Sequence, residues 1–297
     1  MTPAPPATIR RIVYLGTPDL AVGPLIALHR AGYEIPLVVS RPDARSGRGR
    51  ATQASPVKLA ALELGLDVSD DLDDLLSVDA DMGAVVAYGR IISTALLDAL
   101  AFVNMHFSLL PRWRGAAPVE RAILAGDTHT GVCLMELAEE LDTGAVYRRD
   151  EVAIDPDETL DELRGRLIEL GTTQLLSALR NGLGRPVAQQ GQPTYAAKIT
   201  AVDREIDWTG SAATIHRQVR VGGAFTTFRG RRFKIHGAAP DPEDSSQLHP
   251  GEINRSAVGT GSGVLLLAEV QSEGKPKQAA ADWLNGARLT SDDRLGS

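Results

Sequence analysis

The chain has 297 residues, long enough for one large domain or two ordinary ones, and its 43% hydrophobic content supplies a sizeable core. Its formal net charge of −7 argues against a general nucleic-acid coat but leaves room for a local basic patch. The Pro- and Ala-rich start from Met1 to Arg10 lacks a signal-peptide core, no stretch approaches a membrane span, and the single cysteine excludes an internal disulfide, so a reducing, cytoplasmic setting is expected.

In chain order, Arg11 to Leu15 reads as a short buried strand, followed by a turn at Gly16-Thr17-Pro18-Asp19 and a helical pattern from Leu20 to Arg30 that Gly32 stops. Ile35 to Val39 reads as the next strand. Strand, helix and strand joined by short turns form a βαβ unit, and hence a parallel sheet. The alternation continues with a helix over Pro56–Leu64, a strand over Met82–Ala87, a helix over Ser93–Leu100 and a strand over Phe102–His106. A helix at Pro118–Ala125, a strand at Gly131–Leu137 and a long amphipathic helix over Thr159–Leu183 follow. Cys133 lies in the apolar run Val132-Cys133-Leu134-Met135 and reads as a small buried hydrophobe. The run Asp70-Asp71-Leu72-Asp73-Asp74 reads as a solvated acidic surface.

Beyond Leu183 the composition changes. Gln189 to Pro193 is linker-like, and from Ile206 the segments become shorter and strand-like, at Phe225–Phe228, Arg232–His236 and Gly263–Val270. That pattern predicts a small β-rich second domain, with an exposed loop over 240–262.

The first βα turn lacks the Gly-x-Gly-x-x-Gly of a dinucleotide site, since Pro18 and Asp19 occupy the stretch and the next glycine is Gly23. The densest chemical run is Asn104 to Gly115. Asn104 and His106, two apart on a strand, point to one face. An amide donor beside an imidazole can polarise a carbonyl and move a proton, although a hydrogen-bonded strand-end pair would show the same residues. Asp142, in the turn Leu141-Asp142-Thr143-Gly144, offers a carboxylate that could orient the imidazole; spacing alone does not show that it reaches.

The run from Asn104 to Pro118, with Ser-Leu-Leu-Pro and Trp-Arg-Gly-Ala-Ala-Pro, resembles the motif of the folate-dependent formyltransferases. Gly16 to Asp19, Ser55 to Lys58, Ala87-Tyr88-Gly89, Gly126-Asp127, Thr130 to Val132, Leu141 to Gly144, Ile206 to Trp208 and Leu284 to Ala287 extend the likeness over nearly the whole chain. It departs from the family pattern at Leu20, Ser93, Glu140 and Val221 to Ala224. The resemblance implies a Rossmann-like α/β catalytic domain over residues 1–189 and an OB-like β-barrel for tRNA binding over 207–297. It implies 10-formyltetrahydrofolate as one-carbon donor, initiator methionyl-tRNA as acceptor, and no metal. It maps the catalytic roles onto Asn104, His106 and Asp142, and the folate contacts onto Ser108, Leu109, Leu110 and Pro111. A tRNA-sensing loop falls on Pro42 to Arg50, with Arg45, Arg48 and Arg50 as phosphate partners. A second basic cluster, Arg217, Arg220, Arg229, Arg231, Arg232 and Lys234 interleaved with Phe225, Phe228 and Phe233, is a candidate RNA surface, with Arg217, Arg220, Arg231 and Arg232 as the tRNA contacts, though the phenylalanines equally suit a small barrel's core. A monomer is expected. Two rivals remain at this point: transfer to a nucleotide-sugar amine, and a non-catalytic RNA-binding protein on the same scaffold.

Overall fold

The computed structural model describes residues 3–45, 52–243 and 248–297. The chain divides into two compact units. The first comprises the chain up to Pro118, with His129–Ala153 and Arg164–Ala196; the second comprises Val119–Thr128, Ile154–Leu163 and the chain from Ala197 onward.

The first unit is built on a seven-stranded sheet of β1 (Ile12–Gly16), β2 (Val38–Val39), β3 (Val68–Ser69), β4 (Met82–Val86), β5 (Phe102–His106), β6 (His129–Glu136) and β7 (Val146–Ala153), in the order β7-β6-β5-β4-β1-β2-β3. The five strands from β3 to β5 run parallel, and β6 and β7 add antiparallel strands at one edge. The parallel part has the strand order 3-2-1-4-5 of a doubly wound nucleotide-binding sheet. β1 and β4 are buried throughout. That suits parallel strands covered on both faces, which read as continuous apolar runs.

The helices of the βαβ pattern are α1 (Val22–Arg30), α2 (Pro56–Glu63) and α3 (Thr94–Ala99), with α4 (Pro118–Ala125) and the long α5 (Leu160–Asn181) later in the chain. Ser55 explains the start of α2, because its hydroxyl accepts from the Lys58 amide at 3.0 Å while Pro56 takes the first helical position. Cys133 is fully buried among Leu110 and Met135, as the apolar run predicts, and burial pushes its thiol pKa up.

The second unit carries an antiparallel sheet of β8 (Phe225–Phe228), β9 (Arg231–Pro240), β10 (Ile253–Asn254), β11 (Ala257–Gly259) and β12 (Val264–Ser272), in the order β8-β9-β12-β11-β10, with β13 (Gln278–Ala279) also pairing β12. α6 (Ala212–Val221) and α7 (Ala280–Ala287) complete it. Phe233 and Trp283 sit in the core with ring centroids 4.6 Å apart, and Phe228 meets the Trp283 ring edge-on at 5.2 Å. These aromatics therefore serve packing. The 240–262 stretch is not all exposed loop, since Ala257–Gly259 forms a strand and Val258 is fully buried. Its Pro and acidic residues flank short strands that composition alone does not reveal. No described helix is long and apolar enough to cross a membrane.

Candidate active site

His106 ends β5, on the carboxyl side of the parallel strands, where open α/β sheets place their ligand crevices. Asn104 precedes it by one pleat on the same face and stays half-buried, while the His106 ring is only 5% exposed.

Two segments reach the His106 ring. Its Nε2 lies 2.9 Å from the Trp113 carbonyl oxygen, and its Nδ1 lies 3.6 Å from Asp142 Oδ2. A carbonyl only accepts, so Nε2 carries a proton in this arrangement. When the ring holds a second proton, Nδ1–H faces the carboxylate. Asp142 is buried too, and its Oδ2 accepts from the Gly115 amide at 2.8 Å. The structure thus brings Asp142, distant in sequence, to His106.

Backbone conformation around the ring is unusual. Trp113 has φ +63° and Asp142 φ +53°. The left-handed region costs an ordinary L-residue about 1–2 kcal/mol, so both positions must be held by their surroundings. For Trp113 the tether is Thr194, whose Oγ1 accepts from the Trp113 amide at 2.9 Å. Arg114–Gly115 then pairs in parallel with Tyr195–Ala196. Gly115 has φ +122°, and a Cβ there would sit 2.8 Å from the Ala196 carbonyl oxygen, so glycine is required. For the Asp142 turn the anchor is Gly144, where a Cβ would collide with the Glu136 carbonyl oxygen.

Next to the ring lies the stretch the sequence assigns to folate. Ser108 is fully buried and spends its hydroxyl on the Arg112 carbonyl at 2.6 Å. Leu110 packs inward, its carbonyl accepts from Arg149 at 2.8 Å, and the peptide to Pro111 is cis. Leu109 and Pro111 keep partial exposure. Ser108 and Leu110 therefore shape the loop from inside, while Pro111 and Leu109, whose Cδ2 packs against Gly131, stay partly exposed. The Arg112 guanidinium stacks 4.5 Å from the centre of the Trp113 ring.

The expected basic residues fare differently. Arg48 and Arg50 lie outside the described residues, and Arg45 is on the short strand Ala44–Arg45. In the second unit Arg231 and Arg232 are exposed, and the Arg232 guanidinium lies 3.7 Å from the Phe225 ring centre. Arg220 is buried, donating to the carbonyls of Glu158 at 2.7 Å and Asp155 at 2.9 Å. Burial pushes its pKa down, against the raising influence of Asp157 and Glu158. Arg217 donates to the Leu124 carbonyl at 3.1 Å and to Thr214 Oγ1 at 3.0 Å. Arg217 and Arg220 thus have internal partners, and Arg220 holds the turn before α5.

Sequence reasoning misses Gln189 and Thr194, since their neighbourhood reads as linker. The available signal is the demand for hydrogen-bond partners: a Trp113 amide in a loop and two turn carbonyls need them somewhere.

The sequence matches the Formyl transferase family over residues 10–179 and the formyl transferase C-terminal domain over 198–288. Fold and site together define a formyl transferase, and the chain belongs to that family. A curated relative, the methionyl-tRNA formyltransferase of Streptomyces coelicolor, is 42% identical over 309 aligned positions covering 96% of this chain and 99% of its own. That likeness places the chain with the methionyl-tRNA formyltransferases. Solved structures share the fold at lower identity. HypX from Aquifex aeolicus in complex with tetrahydrofolic acid matches with a TM-score of 0.65 and 20% identity over 93% of this chain, which spans 47% of that one. The N-formyltransferase from Helicobacter canadensis, in complex with folinic acid and dTDP-3-aminofucose, matches with a TM-score of 0.67 and 17% identity, over 89% of this chain and all of that one.

Proposed function

We propose that the chain transfers the formyl group of 10-formyltetrahydrofolate to the free amino group of methionyl-tRNA, giving formylmethionyl-tRNA for translation initiation. The observation that carries the reading is the buried His106–Asp142 pair at 3.6 Å, one pleat from Asn104 at the carboxyl end of β5.

In this reading the acceptor amine attacks as the free base. Its lone pair forms the new C–N bond, and the electrons of the formyl C=O move to oxygen. The Asn104 amide donates to that oxygen, and the Nε2–H of His106 joins it by exchanging the Trp113 carbonyl for the new acceptor. Asp142 balances the charge on the imidazole and keeps Nδ1 turned away from the substrate. The ammonium proton must pass to an ordered water near Asp142 before the tetrahedral adduct collapses. Once it has, the bond to folate N10 breaks, and N10 takes up a proton as it departs. Leu109 and Pro111 would contact the folate through their exposed parts, and Ser108 and Leu110 would hold that loop in shape.

The C-terminal unit is read as an OB-like barrel that grips tRNA. Residues near the C-terminus bridge both ends of its sheet, with Leu295 pairing Phe228 and Arg294 pairing Glu252, which supports closure. Arg231 and Arg232 are the exposed cations proposed for phosphate contact there, and Arg45, Arg48 and Arg50 are proposed for the acceptor end. The chain would work as a cytoplasmic monomer.

Mass spectrometry of the products from the protein, 10-formyltetrahydrofolate and either methionyl-tRNA or a nucleotide-sugar amine tests the assignment. Formylmethionyl-tRNA alone is the expected product. Formylation of the sugar amine alone would remove tRNA as acceptor.

A further inference from the structure

We propose that Gln189 and Arg114 form a positioning clamp that fixes the geometry of His106 and Asp142. This rests on the reading of His106 as the centre of formyl transfer.

The geometry starts at the Gln189 amide. Its Nε2 donates to the Asp142 carbonyl and to the Gly144 carbonyl, both at 2.8 Å. Its Oε1 accepts from Arg114 Nε at 3.0 Å and from Nη2 at 2.6 Å. Two donors meet two carbonyls, and the oxygen meets both prongs of a guanidinium, so the full capacity of the amide is used and its orientation is fixed by its partners.

What the amide joins is more telling than how many bonds it makes. On one side is the 142–144 turn, which presents the Asp142 carboxylate to Nδ1 of His106. On the other is the 113–115 segment, which presents the Trp113 carbonyl to Nε2 and the Gly115 amide to Asp142 Oδ2. Both segments contain a non-glycine residue at positive φ, Asp142 on one side and Trp113 on the other. Neither conformation is one the local chain would choose, and Gln189 adds a second tie between the two segments beside the Gly115–Asp142 hydrogen bond. Without it, the turn carbonyls and the Arg114 guanidinium lose their shared partner, and the spacing of the carboxylate and the Trp113 carbonyl rests on the Gly115–Asp142 and Trp113–Thr194 bonds alone. Catalytic groups tolerate little misplacement: about 1 Å can cost on the order of 10²-fold.

The clamp makes a prediction about chemical type. Gln189→Glu preserves length and the Arg114 contact but replaces both donors with an oxygen facing two carbonyls. Gln189→Ala removes all four bonds.

The test uses the full-length protein with two readouts. In steady-state formyl transfer, both variants should lower kcat by about tenfold or more, with KM for 10-formyltetrahydrofolate changed far less. In NMR spectra at fixed pH, the imidazole resonances of His106, assigned with His106→Asn, should shift in both variants. A lower melting temperature with unchanged kcat and unmoved His106 resonances would make Gln189 a structural tie and overturn the proposal. If Gln189→Ala does not fold, Gln189→Glu decides. The NMR readout needs no substrate, so a wild-type protein inactive in transfer would sink the functional reading while the resonances still judge the clamp.

Discussion

In each unit a described histidine faces an aspartate at the same distance. His106 Nδ1 lies 3.6 Å from Asp142 in the first, and His216 Nε2 lies 3.6 Å from Asp157 in the second. The pairs differ in everything around that distance. The Asp142 side chain is 7% exposed and pinned by a backbone amide, whereas Asp157 is 83% exposed. The second nitrogen of His106 is aligned on the Trp113 carbonyl at the carboxyl end of β5. His216 has Arg217 and Arg220 as neighbours, and both oppose its charging. An ion-pair distance therefore does not mark a functional centre. The burial of the carboxylate and the fixing of the other ring nitrogen are what set the His106 pair apart from the His216 pair.

The sharpest way to break this comparison is mutation of both histidines. His106→Ala or Asn104→Ala should cut single-turnover formyl transfer by about 10² or more, the range for lost acid–base or oxyanion groups. Asp142→Asn should fall in the same class, since the amide cannot balance the imidazolium. His216→Ala should leave turnover near wild type. Equal losses at the two histidines would show that the surrounding bonds do not distinguish the pairs.

A second contrast separates the arginines. Arg220→Leu removes two hydrogen bonds from a buried guanidinium and takes the Arg220 donor from the Glu158 carbonyl, while the Asp155 carbonyl keeps the Glu158 amide at 3.2 Å, so it should cost about 1–3 kcal/mol of stability by chemical denaturation. Arg231→Ala and Arg232→Ala, at exposed positions, should stay within about 0.5 kcal/mol. A stable Arg220→Leu protein with impaired tRNA binding would return Arg220 to the RNA surface.

This division also marks what can be read from the residues alone. The β1–α1–β2 start, the buried strands and the Asn104–Gly115 run are legible because period and motif are local properties. β7 is not, since Arg148 to Glu151 offers an exposed polar edge with no apolar alternation. α6 escapes the sequence reading, although Ser211 caps it through the Thr214 amide and Ile215 and Val219 bury one stripe. Arg217, Arg220, Arg231 and Arg232 look equivalent in sequence, because burial of a cation depends on carbonyls 62 and 65 residues away for Arg220. Gln189 looks like linker for the same reason, with its partners 45 and 47 residues back.

A smaller effect tests the RNA surface. Affinity for methionyl-tRNA should fall with salt, because bound phosphates release counterions. Arg231→Ala and Arg232→Ala should each make the slope of log K against log salt shallower by about 0.7–0.9 for every phosphate the arginine neutralises, without altering the chemical step. Filter binding across a salt series measures it, and unchanged slopes would remove this strand from the interface.

The smallest effect belongs to His216. Burial leads the downward shift of its pKa from 6.5, Asp157 works against that shift, and Arg220 and Arg217 add to it. Because the folded value lies below the unfolded one, the unfolded chain takes up the proton first. Folding is then unpenalised above about pH 6.5, and stability is lost as pH falls through that value, levelling off once the folded histidine also charges. His216→Gln removes this titration while the exposed Asp157 remains solvated. The drop in melting temperature between about pH 7.5 and about pH 5 should therefore be shallower in the variant than in wild type. Parallel curves would mean that Asp157 compensates the burial fully, and the second histidine–aspartate pair would then be electrostatically closer to the first than its exposure implies.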